Sequence, residues 1–176
     1  MRKVSLFIAM SLDGYIATKD HQLDFLKLVE REGEDYGYGN YIANVDTIII
    51  GRKTYDYVKE HIGLSHYQQS ECQVIVLSRT AYPVDGNIRF YQGNLLDLLM
   101  ELGDKPGKKI YCDGGAEVIN EFLKLELIDE MTISIIPILL GDGIRLFTEN
   151  KMEMQMTLLS STSFDSGLVQ VHYKFN

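Results

Sequence analysis

Asp113 is followed by two glycines, Gly114 and Gly115, and then by a helical pattern. Paired glycines let a backbone come close to a phosphate. A helix amino terminus adds unpaired N–H groups and the positive end of a dipole. A tight strand-to-helix turn needs the same pair for its own geometry, so this feature alone leaves both readings open. The pattern is shorter than G-x-G-x-x-G, and no acidic residue stands about 20 positions past a first βα turn to hold a ribose.

Two further clusters stand just past apolar runs. Gly51-Arg52-Lys53-Thr54 follows Ile48–Ile50, and Ser78-Arg79-Thr80 follows QVIVL. Cations at a helix start oppose the dipole, so local stability does not favour them. Any one of Arg52, Lys53 and Arg79 reads as surface charge. Gathered at one sheet edge of an acidic chain, they point to an anion site. Two anion sites suit a dinucleotide with an extra phosphate, and Arg is the usual partner of the NADP 2′-phosphate.

Ser11-Leu12-Asp13-Gly14-Tyr15-Ile16-Ala17 leaves the first apolar run as a loop of small and apolar groups. It could cover a flat ring such as nicotinamide, or be an ordinary strand exit. Asp24, Asp35 and Asp113 are carboxylates near predicted loops or strand ends, and serve equally as caps or solvated charges. The tyrosine-rich residues 34–41 read as a loop that is mobile, partner-facing or pocket-lining. The four histidines show no metal-ligand spacing, and His172 reads as structural. No C-x-x-C, G-x-S-x-G or P-loop pattern occurs.

These residues must be placed by elements, and the chain alternates strands with helices. Strands are predicted over residues 4–10, 47–50, 73–77, 87–91, 109–112 and 131–140, with Pro137 marking an edge or bulge in the last. Helices are predicted over residues 24–34, 52–59, 94–102 (capped by Asn94) and 115–125. Residues 157–163 and 168–175 alternate as strands around Asp165-Ser166-Gly167, a hairpin signal. The result is an α/β fold: a mostly parallel central sheet flanked by helices, with an antiparallel carboxy-terminal edge. In such sheets ligands sit outside the carboxyl ends of the strands.

The 176 residues suit one domain spanning 1–176. There are 25 acidic and 17 basic residues, a net charge of −8. That balance disfavours nucleic acid and anionic membrane as partners and leaves a small-molecule substrate. No apolar run approaches the ~18 residues of a span. Arg2 and Lys3 precede an apolar run, but Ser5 and Ser11 break it and no A-x-A site follows, so a buried first strand is the better reading. Cys72 and Cys112 supply no disulfide framework, and the chain reads as cytoplasmic.

Several segments in order resemble the dihydrofolate reductase-like superfamily, and more closely the reductase domain of the bacterial riboflavin deaminase-reductase, RibD. They are VSLFIAMSLDGYIA (Val4–Ala17), TIIIGRKTYD (Thr47–Asp56), VIVLSRT (Val74–Thr80) and IYCDGGAEVINEFLKLELIDEMTISIIPILLGDGIRLF (Ile110–Phe147). The resemblance implies NADPH. Ala9 and Ile16 would meet the nicotinamide. Gly51, Arg52, Lys53 and Thr54 would meet the phosphates, and Ser78 and Arg79 the 2′-phosphate. Gly114, Gly115, Ala116, Glu117 and Val118 would cradle the pyrophosphate and nicotinamide side.

The substrate side departs from the pattern. The riboflavin reductases carry Glu before the glycine pair, where Asp113 stands here, and a D-D-P…T-x-R stretch replaced here by YVKEHIGLSHYQQ. Dihydrofolate reductases carry a first-helix carboxylate, to which neither Asp24 nor Asp35 aligns cleanly. The H-x-E…P-C-x-x-C deaminase signature is absent. The expectation is a stand-alone NADPH-dependent reductase, nominally of 5-amino-6-(5-phosphoribosylamino)uracil, with Asp113 first and Asp24 second as catalytic carboxylates. The resemblance also implies a homodimer, with residues 131–140 and the carboxy-terminal strands as candidate interface. The alternatives are a true dihydrofolate reductase and a non-catalytic nucleotide-binding module.

Overall fold

Runs such as Thr47-Ile48-Ile49-Ile50 and QVIVL have apolar residues on both faces, so they are stable as strands only inside a sheet covered on both sides. The computed structural model describes residues 2–68, 71–148 and 153–176, and it builds that sheet. In chain order the elements are β1 (Val4–Ser11), β2 (Tyr15–Ala17), a 3-10 helix (Asp24–Val29), α1 (Tyr38–Ile42), β3 (Val45–Gly51), α2 (Arg52–His61), α3 (Ser65–Gln68) and β4 (Gln73–Leu77). Then come β5 (Ile88–Tyr91), α4 (Leu95–Gly103), β6 (Lys109–Gly114), α5 (Ala116–Lys124), β7 (Glu130–Ile136), β8 (Ile144–Arg145), β9 (Met156–Ser163) and β10 (Val169–Phe175).

The main sheet has the order β5-β4-β3-β6-β1-β7-β10-β9. Its pairs from β5 to β7 are parallel, and β10 and β9 close it antiparallel. This is the predicted α/β fold with its antiparallel edge. On one face Leu6, Ile49 and Ile75 meet Leu98 and Leu102 of α4 and Ile119 and Phe122 of α5. On the other, Ile48, Ile50, Val74 and Val76 meet Tyr55 of α2 and Tyr67 of α3. Each such buried side chain contributes roughly 1.5–3 kcal/mol of transfer free energy. Asn94 caps α4 as predicted, its Oδ1 accepting the Leu96 N–H at 2.7 Å. Both cysteines are free and buried. Among the described residues, no helix is long and apolar enough to cross a membrane.

Three segments differ from their sequence pattern. Of residues 24–34 only Asp24–Val29 are helical, as a short 3-10 helix, because only Phe25 and Val29 find a core to face while the charged residues after them stay exposed. Residues 34–41 are not a plain loop. Tyr38 and Tyr41 open α1 and pack on Phe7 at 5.6 and 4.8 Å between ring centres, and Tyr41 meets Tyr111 at 5.1 Å. The strand expected over 131–140 stops at Ile136, since Pro137 has no N–H to pair, and it lies inside the sheet between β1 and β10 rather than at an edge.

Candidate active site

The carboxyl ends of β3 and β6 lie side by side, and each passes directly into a helix. Gly51 precedes α2 and Gly115 precedes α5, and neither helix has a side-chain cap. Their first N–H groups are left to whatever anion approaches. The two turns touch only because they are built of glycine. A Cβ on Gly51 would lie 2.8 Å from Val118 Cγ2, and one on Gly115 would lie 2.6 Å from Thr54 Oγ1. Gly114 has φ +113°, a conformation that glycine alone adopts easily. Gly51, Thr54, Gly114, Gly115 and Val118 thus form one cradle, with Ala116 and Glu117 opening α5. This is an arrangement that fits a pyrophosphate.

The predicted cations are more engaged than their spacing implies. Arg52 donates through Nε to both oxygens of Asp56 at 2.7 Å and stacks on Tyr82, 4.2 Å from the ring centre. Lys53 pairs with Glu117 at 2.5 Å. These pairs are exposed or half-exposed, so an incoming phosphate competes with them at little cost. Arg79 is exposed, and its side chain pairs with no carboxylate among the described residues. Ser78 Oγ both accepts the Thr80 N–H and donates to the Thr80 carbonyl, which turns the chain after β4.

The loop after β1 is pinned over the same edge. Asp13 accepts from Ser11 Oγ at 2.6 Å, from Gly141 N at 2.7 Å and from Leu140 N at 3.1 Å. The Ser11 hydroxyl first, then these N–H groups, hold its carboxyl below the usual carboxylate range. Arg145 of β8 lies over the Tyr15 ring at 4.7 Å and bonds its hydroxyl at 3.1 Å. Ile16 between them is half-buried against the α5 core layer.

A cavity of about 420 Å³ opens beside this edge on the sheet face that carries α1. Phe7 and Ala9 of β1 and Ser134 and Ile136 of β7 form its floor, with Ala9 and Ser134 register partners. Val29, Tyr36 and Tyr38 wall it, and Glu30, Arg31, Glu34 and Asp35 also line it. Ser134 Oγ accepts from Gln170 Nε2 at 3.0 Å, and the same nitrogen donates to the Tyr36 carbonyl at 3.0 Å. Sequence reading missed Ser134 and Gln170. Their only signal is alternation in two strands that become neighbours in the sheet.

The candidate carboxylates part company here. Asp113 is half-buried and accepts a hydrogen bond from Tyr67. Burial, and after it the Asp113 charge, push Tyr67, Tyr38 and Tyr111 above the ordinary phenol range. Asp24 is exposed and pairs with Lys27 at 2.5 Å, away from the glycine pair, and neither it nor Asp113 lines the cavity. Asp35 does reach the cavity, but its two oxygens accept the N–H groups of Gly37 and Gly39, the capping role open to it from sequence.

The RibD C-terminal domain model matches residues 2–170. The chain belongs to the RibD C-terminal domain family. Over 98% of its length it is 40% identical to the uncharacterised Bacillus subtilis protein YwjB, covering 97% of that protein. It is similar to a solved Shewanella sp. PV-4 protein named as a riboflavin biosynthesis candidate, at 34% identity and TM-score 0.88, covering 99% of both chains. The fold is that of dihydrofolate reductase. The Enterococcus faecalis enzyme, solved with NADP(H), superimposes at TM-score 0.68 and 14% identity over 99% of this chain and 96% of its own. Within this RibD-like fold, cradle and cavity occupy the carboxyl ends of the strands, where open α/β sheets take ligands.

Proposed function

We propose that the protein is an NADPH-dependent reductase of the riboflavin-biosynthesis type, acting on a small heterocyclic or ribosylamine substrate such as 5-amino-6-(5-phosphoribosylamino)uracil. The observation that carries this reading is the meeting of two helix amino termini without side-chain caps at Gly51 and Gly115, beside a cavity floored by Ala9. Membership of the family supports it. The cavity, of a size that takes a small ligand, favours an enzyme over a non-catalytic nucleotide-binding module.

When bound, the dihydronicotinamide supplies a hydride to an electrophilic substrate carbon. The chain's own part is holding and orienting. Gly51, Thr54, Gly114, Gly115 and Ala116 hold the phosphates through backbone groups and a hydroxyl, with Arg52, Lys53, Glu117 and Val118 around them. Ser78 and Arg79 hold the 2′-phosphate. Ala9 and Ile16 meet the nicotinamide, Ala9 by being small. The loop tied down by Asp13 keeps water off the ring. Asp113, bonded by Tyr67, holds the proton on the substrate side, a part for which Asp24 is badly placed.

The same reading includes a homodimer through the edge strand β9. Its eight residues are all exposed, and Leu158 and Leu159 are 51% and 46% exposed. The deciding experiment is a side-by-side titration with NADPH and NADH by calorimetry, repeated with Arg79→Ala and Arg52→Ala. The expected result is NADPH binding well ahead of NADH, with that preference lost in Arg79→Ala and weakened in Arg52→Ala. Failure to bind either cofactor overturns the reading.

A further inference from the structure

The amino-terminal edge of the sheet runs against the charge of the whole chain, which has 25 acidic and 17 basic residues. A cleft of about 540 Å³ between residues 2–3, Asn44 and the turn at 103–109 is lined by Arg2, Lys3, Lys105, Lys108 and Lys109, and by no carboxylate. The carboxylates stand behind the cations. Asp46 pairs with Arg2 and accepts the Lys108 N–H at 2.6 Å. Glu130 takes Lys3 on one oxygen at 2.6 Å and Lys109 on the other at 2.7 Å. Arg2 Nε donates to the Lys108 carbonyl at 2.9 Å, which ties the amino terminus to the turn. A Cβ on Gly107 would lie 2.8 Å from Arg2 Nε and 2.7 Å from Asp46 Oδ2, so the turn rests directly on that pair.

This bracing fixes the cations without matching their number. Lys108 Nζ donates to the Ala43 carbonyl at 2.8 Å and meets no carboxylate among the described residues. Lys105 has Glu101 at 3.3 Å, and Glu101 is shared with Arg89. Asp104 and Asp129 stand outside the lining, and Asp129 accepts the Val4 N–H at 2.7 Å. Exposed lysine pairs of this kind are worth little and yield to a multivalent anion. The volume falls in the range of roughly 300–1,000 Å³ of small-ligand clefts. Several ammonium groups around one half-buried guanidinium match the oxygens of a phosphate chain rather than a single carboxylate.

We propose that this cleft is a second ligand site, for a polyphosphate chain carried by a nucleoside triphosphate or free in solution. It is separate from the cradle at Gly51 and Gly115. β6 starts at the cleft with Lys109 and ends at the cradle with Gly114, and six strand residues at about 3.3 Å each put the two roughly 20 Å apart.

The test is calorimetric titration of the whole protein with sodium tripolyphosphate at low ionic strength, and in parallel with ATP. The variants are Arg79→Ala, which alters the cradle side, and Lys105→Ala/Lys108→Ala, which alters the cleft. The expected result is a saturable site, beside any at the cradle, that is kept in Arg79→Ala and weakened about tenfold or more in the double variant, the scale of one lost charge-assisted hydrogen bond. Tighter binding of ATP than of tripolyphosphate would identify a nucleotide, and equal binding a free polyphosphate. Both support the site. No saturable binding, binding lost in Arg79→Ala, or binding unchanged in the double variant overturns it. Because both lysines are exposed, melting curves of the double variant should match the parent. The loss in the double variant reads the cleft alone, whether or not the cradle takes NADPH.

Discussion

The Tyr67 hydroxyl donates its hydrogen to Asp113 Oδ2, joining the short helix α3 to the end of β6. Tyr67 is 5% exposed, so its phenol is removed from water and points at the one carboxylate beside the glycine pair. A carboxylate held this way keeps its direction. Asp113→Asn keeps the shape and removes the exchangeable proton. The expected outcome is a fall in kcat of about 10²- to 10⁴-fold, the usual range for a lost general acid, with NADPH affinity unchanged. Tyr67→Phe should give a smaller loss and a shifted pH–rate profile. An Asp113→Asn enzyme with normal kcat would remove Asp113 from the chemistry.

The contact between Gly115 and Thr54 makes a separate prediction for the cradle. Gly115 has φ −74°, a value alanine also adopts, and the new feature of Gly115→Ala is the contact made by its methyl. The added methyl meets Thr54 Oγ1 at 2.6 Å, while Thr54 Cβ stays 3.9 Å away. The variant should lose about 1–3 kcal/mol, as overpacked sites do, together with NADPH affinity. Adding Thr54→Ala should recover most of the stability. Denaturant melts of the single and double variants check this, and an absence of recovery would mean that the strain lies elsewhere.

Glu130 sets the acid limit of the fold. Burial alone would raise its carboxyl, but hydrogen bonds and charges from Lys109 and Lys3 outweigh burial and bring it from 4.5 to about 2. A carboxyl lower in the folded chain than in the unfolded one stabilises fully above its unfolded value. That contribution fades as pH falls from 4.5 towards about 2. Glu130→Gln should cost roughly 1–3 kcal/mol at neutral pH and flatten the stability profile through that window. Thermal melts of both proteins across the acid range would show it. Parallel profiles would put the acid sensitivity on another group.

The mostly parallel sheet and the hairpin were legible because strands covered on both faces are written in unbroken apolar runs, and Asp165-Ser166-Gly167 writes its own turn. The cradle was legible for a related reason: glycines at strand ends stand out in one dimension. The cavity was not. Ala9 and Ser134 meet only through the β1–β7 register, and Gln170 reaches Ser134 from β10, 36 residues away. The tyrosines of residues 34–41 were legible only in part: Tyr36 and Tyr38 line the cavity, a role their sequence left open, but the helix that Tyr38 opens was not legible. Their polar neighbours read as loop, while Phe7 and Tyr111, the rings that bury them, lie far off in the chain. The ion pairs of Arg52 with Asp56 and Lys53 with Glu117 were hidden in part: the first is spaced i, i+4 within one helix, but the second crosses between two.

The β9 edge carries the last prediction. From Met156 to Ser163 the strand has no charge, no proline and no glycine, the features that normally keep an exposed edge from pairing. It is the outer strand of the main sheet, so its outward N–H and C=O groups face away from β10. Two chains of net charge −8 repel at most orientations, and an uncharged strand is where they approach at least cost. Antiparallel pairing of β9 with its copy would extend the sheet across the two chains. Leu159→Lys puts a charge at the middle of that edge, at an exposed position. Light scattering should show a dimer for the parent and a monomer for the variant, with melting of the variant's monomer still cooperative. A parent that is monomeric at all concentrations, or a variant that stays dimeric, would move the interface away from this strand.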